Sequence, residues 1–443
     1  MLLIGIIVAH LLLLLNLKFT AWPEMLLWPY LITKGWLPYV NIAIAHTPHL
    51  IVDLAIIYKI FGTGINQLKI CTWTLILFTD FILFFVAKKL SNQKIALMAI
   101  ISYVFWQIFF DGNGLWFDLM LATLALITFY FTRSKKYFLA GIFWVIMFFT
   151  KQTAVWFLIP IGLEVLQSAK YRVKRTKELV FGALIIFIPI LLIFGIVRVL
   201  PDFYRWAIHF GIFILPKAQG QIQFPNIKNF AISIFPFLIF VPLVWKTKMK
   251  NLDLLTWSIA GSLGAYPRFE YFHFQPAIPF LAIAIANFFT TANWKNTPIK
   301  IFAILYTIIS LYLFSGFFMR NFREGTRFYE KDVQDIVLYI QKNTNPNDKI
   351  FVMNWWDNVY ALSDRLPAVN PWVPQLSWYQ EVGGIQEKEV ADLIEAQPKL
   401  IILNAYSNIG LSAYIPTKVY NYVMENYKFK EKVDGIEILI PNK

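Results

Sequence analysis

Cysteine is almost absent: Cys71 is the single one in 443 residues. An intrachain disulfide and a thiolate metal cluster are therefore both excluded, because each needs at least two thiols. Charge is scarce as well. Only 15% of residues are charged, against about 25% in an ordinary soluble domain, which excludes a single soluble globule. No repeat with a period of about 20 to 50 residues is present, so solenoid and propeller architectures are excluded too.

What fills the chain instead is apolar sequence, 58% of it, gathered into long runs such as 4–15, 181–197 and 299–318. A helix needs roughly 20 apolar residues to cross a bilayer core, so the pattern is that of a polytopic α-helical membrane protein. Runs bounded by charge or turn residues give eleven candidate spans: 1–19, 68–87, 95–111, 115–132, 137–150, 153–169, 178–200, 229–245, 252–266, 275–292 and 299–318. The first run has no basic n-region and no small-residue cleavage pattern, and is expected to be a retained helix rather than a signal peptide.

The formal net charge of +14 would point to nucleic acid in a soluble protein. Its distribution points elsewhere. Residues 1–318 hold 26 Lys/Arg and 10 Asp/Glu, whereas residues 319–443 hold 14 and 16. Within the first part, Lys88, Lys89, Lys94, Arg133, Lys135, Lys136, Lys170, Arg172, Lys174, Arg175, Lys177, Lys246, Lys248, Lys250, Lys295 and Lys300 all fall in alternate loops. The positive-inside rule assigns those loops and the N-terminus to the cytoplasm. With an odd number of spans, the loop 20–67, the segment 201–228 and everything after residue 318 are expected outside.

The first outer loop contains two short apolar stretches, 25–32 and 49–61, which are expected to be interfacial helices on the outer leaflet. After residue 318 the pattern changes. Val333, Ile336, Val337 and Ile340 repeat at helical spacing, while 349–353, 400–403 and 435–441 are strand-like. The expected organisation is a transmembrane domain, 1–318, and a small extracytoplasmic α/β domain, 319–443.

Ionisable groups in or beside a membrane are costly and mark function or pairing. Here they gather near outer span ends and outer loops: Glu24, His46, His49, Asp53, Asp80, Asp111, Asp118, Lys151, Arg198, Asp202, Arg205, His209, Arg268, Glu270 and His273. A carboxylate opposed by cations in an outward-facing cavity suits one chemistry well. The cations can bind and stabilise a phosphate leaving group while the carboxylate takes a proton from an attacking hydroxyl.

The order of these residues carries a resemblance. After the first span come Glu24, then Gly35-Trp36-Leu37-Pro38-Tyr39, His46-Thr47-Pro48-His49 and Phe61-Gly62; further on come Thr150-Lys151-Gln152-Thr153 and YPRFEYFHFQPAIP over 266–279. This resembles the GT-C glycosyltransferases that use polyprenyl-phosphate sugars, the superfamily of protein O-mannosyltransferases and the lipid A aminoarabinose transferase. The resemblance implies transfer of a sugar from a polyprenyl-phosphate carrier to an acceptor hydroxyl at the outer face, by a single inverting displacement. The acceptor is a glycan, a lipid or a protein, and no nucleic acid is expected as a partner.

By that resemblance Glu24 and Asp118 are the candidate catalytic carboxylates. The competing readings are a carboxylate favoured by a helix macrodipole for Glu24 and a helix-capping carboxylate for Asp118. Lys151, Gln152, Arg205, Arg268, Glu270, Tyr271, His273, His46 and His49 are the candidate substrate-binding residues. Arg268 offers a bidentate fork to phosphate and Lys151 a point charge; a snorkelling interfacial Lys is the alternative for the latter. Arg205 and His209, four apart, would share a helix face. His46 and His49 lack a carboxylate or thiol at ligand spacing and the outer loop lacks an Asp-x-Asp, so no catalytic metal and no cofactor are expected. Trp355-Trp356-Asp357 is similar to the WWD motif of oligosaccharyltransferases, but Asn358-Val359-Tyr360 depart from it, and aromatic packing on the membrane surface is the reading adopted. A transporter or flippase of lipid-linked sugars is the alternative function; paired repeats with helices broken at the midplane would be its signature.

Overall fold

The computed structural model describes residues 1–167, 169–218, 221–247, 252–374, 378–407 and 410–442. Lys248 and Lys250, assigned above to a cytoplasmic loop, lie outside them. The chain gathers into two compact units, one of residues 1–19, 70–193 and 223–325, the other of residues 20–69, 194–222 and 326–443.

Helices occupy all eleven apolar segments: Leu2–Asn16, Ile65–Leu90, Gln93–Phe109, Phe117–Arg133, Tyr137–Thr150, Gln152–Phe157 running into Leu158–Leu166, Arg172–Ile196, Ile227–Ile234 continuing to Phe240–Thr247, Leu252–Ser262, Tyr271–Ala277 leading into Ile278–Thr291, and Thr297–Asn321. Among the described residues five stretches are long and apolar enough to cross a membrane, and the protein is a multi-pass, mostly helical membrane protein. Their ends are set locally. Asn92, Asn226 and Asn296 each accept a backbone N–H of the first turn, from Ile95, Asn229 and Ile299.

In the first unit 89% of the residues in the most apolar part of Tyr271–Thr291 are buried, whereas in that of Thr297–Asn321 only 11% are and the side chains turn outward. An apolar surface of that kind is stable against lipid and not against water. Tyr137–Thr150 and Arg172–Ile196 cross at two glycines. A β-carbon on Gly141 would fall 2.1 Å from the Leu179 carbonyl oxygen, and one on Gly182 only 1.9 Å from that of Phe138. Small residues are what allow backbones to approach so closely. At another end of this unit Arg133 holds three helices together, with Nη1 3.1 Å from Glu164 and Nε 3.2 Å from Asp253.

The second unit is built on a four-stranded sheet, β1 Ile350–Met353, β2 Leu400–Leu403, β3 Tyr427–Val433 and β4 Ile436–Pro441, in the order β1-β2-β4-β3. β1 and β2 are parallel, with Ile350 opposite Leu400; the other pairs are antiparallel. Helix Lys331–Asn343 buries Val333, Ile336, Val337 and Ile340, the four positions of the apolar repeat. The first-loop helices, Pro23–Thr33 and His49–Phe61, belong to this unit. One of them differs from an interfacial helix. Met25 to Leu31 are buried without a break, and a helix apolar all round is a core helix. His49–Phe61 does keep an outward apolar face, with Val52, Ile56 and Ile60 exposed.

Candidate active site

Three segments of the first unit converge on one carboxylate. Asp118 sits in the first turn of Phe117–Arg133, where the macrodipole favours an anion. Lys151 is the residue at which Tyr137–Thr150 stops and a short 3-10 helix, Gln152–Phe157, begins. His273 lies in the tight turn Tyr271–Ala277. Lys151 Nζ is 2.5 Å from Asp118 Oδ2, His273 Nδ1 is 2.9 Å from the same oxygen, and Nζ and Nδ1 are 3.1 Å apart. Asp118 is fully buried and Lys151 is 4% exposed, so Lys151 is not a snorkelling surface lysine. Its charge is balanced by Asp118, as burial demands. Nδ1 can donate to the carboxylate or accept from the ammonium, not both at once, so the tautomer of His273 decides which neighbour it engages.

The other Asp118 oxygen, Oδ1, is buried without a hydrogen-bond partner, as is Thr153 Oγ1. Both flank Gly264, where a β-carbon would lie 3.6 Å from Oδ1 and 3.8 Å from Oγ1. Along the same polar stretch, half-buried Arg268 has Nε 3.7 Å from Glu270 Oε1. Backbone pairing with Gln223 on both sides, Gln223 N–H to Pro267 and Phe269 N–H to Gln223, holds Arg268 in place. The Tyr271 ring packs on Phe109, Phe110 and Phe269. Gln152 is half-buried at the start of the turn after Lys151.

In the second unit Glu24 stands in the first turn of Pro23–Thr33, its Oε2 buried and without a hydrogen-bond partner. Burial raises its proton affinity above that of an ordinary glutamate. A ladder of rings runs beside it. Trp22 meets Phe328 at 5.4 Å, Phe328 meets Trp356 at 4.7 Å, and the Asn358 amide donates to the Phe328 carbonyl at 2.6 Å. The ladder leads to Asp357, whose Oδ1 is likewise buried and without a partner. Burial, and after it the negative charges of Glu24 and Glu389, hold the Asp357 carboxyl well above the usual range. Two carboxyls in one field do not both ionise readily, and Asp357 is the one that feels the charge of the other.

The remaining candidates of this unit are spread out. The His46 carbonyl accepts from Tyr39 Oη at 2.8 Å. His49 Nε2 is 3.3 Å from Asp53 Oδ2 one turn on, which supplies the carboxylate partner that the spacing argument passed over. Burial lowers the proton affinity of His49 and raises that of Asp53. Arg205 and His209 are exposed on the π-helix Tyr204–Ile214; Arg205 lies over the Trp206 ring, and His209 stacks on Tyr204. Among the described residues no three His, Cys, Asp or Glu side chains converge as a metal-binding group.

Solved structures share this architecture from end to end. ArnT from Cupriavidus metallidurans, both in the apo state and bound to undecaprenyl phosphate, superposes with a TM-score of 0.67 at 12% identity, covering 99% and 98% of this chain and 97% of ArnT. The chain has the GT-C fold. The archaeal oligosaccharyltransferase AglB from Archaeoglobus fulgidus, in complex with an inhibitory peptide and a dolichol-phosphate, has the same fold, with a TM-score of 0.56 at 11% identity over all of this chain and 74% of AglB. No family model matches the sequence, and no curated protein matches it either.

Within this GT-C fold, Asp357 is the functional candidate that sequence reasoning passed over. Its signal was the Trp355-Trp356-Asp357 string itself, set aside for packing. Packing accounts for the two tryptophans, since Trp355 is buried and Trp356 closes the ring ladder. It does not account for a buried carboxyl without a hydrogen-bond partner on Oδ1.

Proposed function

We propose that the protein is an integral-membrane glycosyltransferase that moves a sugar from a polyprenyl-phosphate carrier to an acceptor hydroxyl at the outer face of the membrane. The observation that carries this reading is the full-length likeness to ArnT, whose structure has been solved with undecaprenyl phosphate bound. In this reading eleven spans, residues 1–318, form the catalytic domain, residues 319–443 form an extracytoplasmic α/β domain, and the N-terminus is cytoplasmic.

Glu24 serves as the general base for the acceptor hydroxyl, in one inverting displacement. A glutamate whose proton affinity is raised by burial is better matched to that task near neutral pH than an exposed one. Arg268, with Glu270 and Tyr271 beside it, and Lys151, with Asp118, His273 and Gln152, receive the departing phosphate. Lys151 is paired with Asp118 and Arg268 lies 3.7 Å from Glu270, so each cation meets the phosphate beside a carboxylate. His46, His49 and Arg205 serve acceptor or headgroup contacts. The lipid-linked sugar is a substrate, and no cofactor or metal is assigned to the reaction.

The test is transfer of a radiolabelled sugar from polyprenyl-phosphate donors in proteoliposomes. Release of free polyprenyl phosphate together with a labelled acceptor supports the reading. Transbilayer movement of intact donor with no sugar released would replace it by a flippase.

A further inference from the structure

A second buried polar network in the first unit takes no direct part in the chemistry above. His10 lies in Leu2–Asn16, Asp80 in the inner part of Ile65–Leu90 and Gln107 near the end of Gln93–Phe109, and all three are fully buried. His10 Nδ1 is 2.8 Å from Asp80 Oδ2, and His10 Nε2 is 3.2 Å from Gln107 Oε1. The orientation of the Gln107 amide is set by its Nε2, which donates to the Gly112 carbonyl at 2.9 Å. Its Oε1 can therefore only accept, and His10 Nε2 must carry hydrogen. A single proton is then shared between Nδ1 and the Asp80 carboxyl.

The network does not end at Gln107. Gln275 Nε2 donates to the backbone carbonyls of Gln107 and Phe110, each at 2.8 Å. Gly112 leaves the room this requires, since a β-carbon there would fall 2.2 Å from Gln107 Nε2 and 2.6 Å from Gln275 Nε2. Gln275 belongs to the same tight turn as His273, Tyr271–Ala277. The contacts are thus continuous from His10 through Gln107 and Gln275 to the turn that presents His273 to Asp118 and Lys151.

We propose that His10, clamped between Asp80 and Gln107, is a positioning residue for His273. Intramembrane ionisable groups are expensive unless they serve a purpose. Hydrophobic residues of equal volume would pack these helices at least as well. What an apolar core would not supply is a fixed orientation for the Gln107 amide, which holds the Gly112 carbonyl and with it the 110–112 turn whose Phe110 carbonyl accepts from Gln275 in the 271–277 segment. The proposal rests on the reading of Asp118, Lys151 and His273 as part of a transferase site.

Solid-state NMR of protein labelled with 15N-histidine in liposomes tests it, alongside transfer kinetics. His10→Phe keeps a ring of similar size; His10→Phe with Asp80→Leu also removes the carboxylate that would be left buried and alone. Both variants are expected to shift the His273 imidazole resonances, identified by their absence in His273→Ala. Both should lower kcat about ten- to a hundredfold, as expected for a misplaced group, with donor KM changed less than about twofold. Adding His10→Phe to His273→Ala should cost nothing further, because the effect travels through the imidazole already removed. Unshifted His273 resonances together with additive losses would overturn the proposal. If the wild-type protein transfers no sugar, shifted resonances still support the positioning role, and it is the transferase reading that fails.

Discussion

Lys151 and Asp118 meet at 2.5 Å inside the helical unit, with neither side chain more than 4% exposed. Neither charge is tolerable there alone. The pair converts two costly ions into one neutral, hydrogen-bonded group that His273 can read as either donor or acceptor.

Stranding one member of a buried ion pair costs about 3–5 kcal/mol. Asp118→Asn and Lys151→Met should therefore each lower the thermal unfolding temperature in detergent. The double variant should recover much of the loss, since it leaves no unpaired charge. Differential scanning of the four proteins checks this; equal losses from the singles and the double would contradict it.

In the proposed reaction Glu24 would act as a base only when ionised, and burial holds its proton more tightly than the ordinary glutamate value of 4.5. Transfer should rise with pH along a limb centred above that value. In Glu24→Gln the limb should disappear and the rate should fall about 10²- to 10⁴-fold. A pH–rate profile for both proteins in proteoliposomes makes the comparison.

Asp357 gives a stability signature of definite sign. A carboxyl that keeps its proton more tightly in the folded state stabilises fully below the unfolded value, about 3.9 for aspartate, and that contribution is lost as pH rises through the folded value. Asp357→Asn has no proton to lose. Its unfolding temperature should fall less than that of the wild type as pH is raised, measured by thermal unfolding across a pH series.

Gly141 and Gly182 each lie against the backbone of the facing helix. Alanine at either position must push Tyr137–Thr150 and Arg172–Ile196 apart, at a cost of about 1–3 kcal/mol. The two substitutions should be less than additive, because the first already opens the crossing that the second would open. Unfolding of the singles and the double decides it.

The helical segments were legible because apolar run length is a local property. The same holds for Lys331–Asn343, whose four buried positions repeat at helical spacing, and for β1, β2 and β4. Strand β3, Tyr427–Val433, escaped notice for an equally local reason. Its sequence YKFKEKV is exposed along nearly its whole length, so no buried face imprints an apolar alternation on it.

The sequence by itself determined a multi-pass helical chain with a small α/β part and a short set of polar residues too costly to be idle. Only the tertiary structure decided which of those residues meet. Asp118 and His273 are 155 positions apart, His10 and Asp80 are 70 apart, and Glu24 and Asp357 come into one field only because the loop after the first helix folds into the unit built on the C-terminal sheet. No periodicity encodes such pairings. The first two follow from helices packing so that buried ionisable groups face one another, and the third from a loop folding onto a distant sheet, conditions on the whole fold that no stretch of sequence expresses alone.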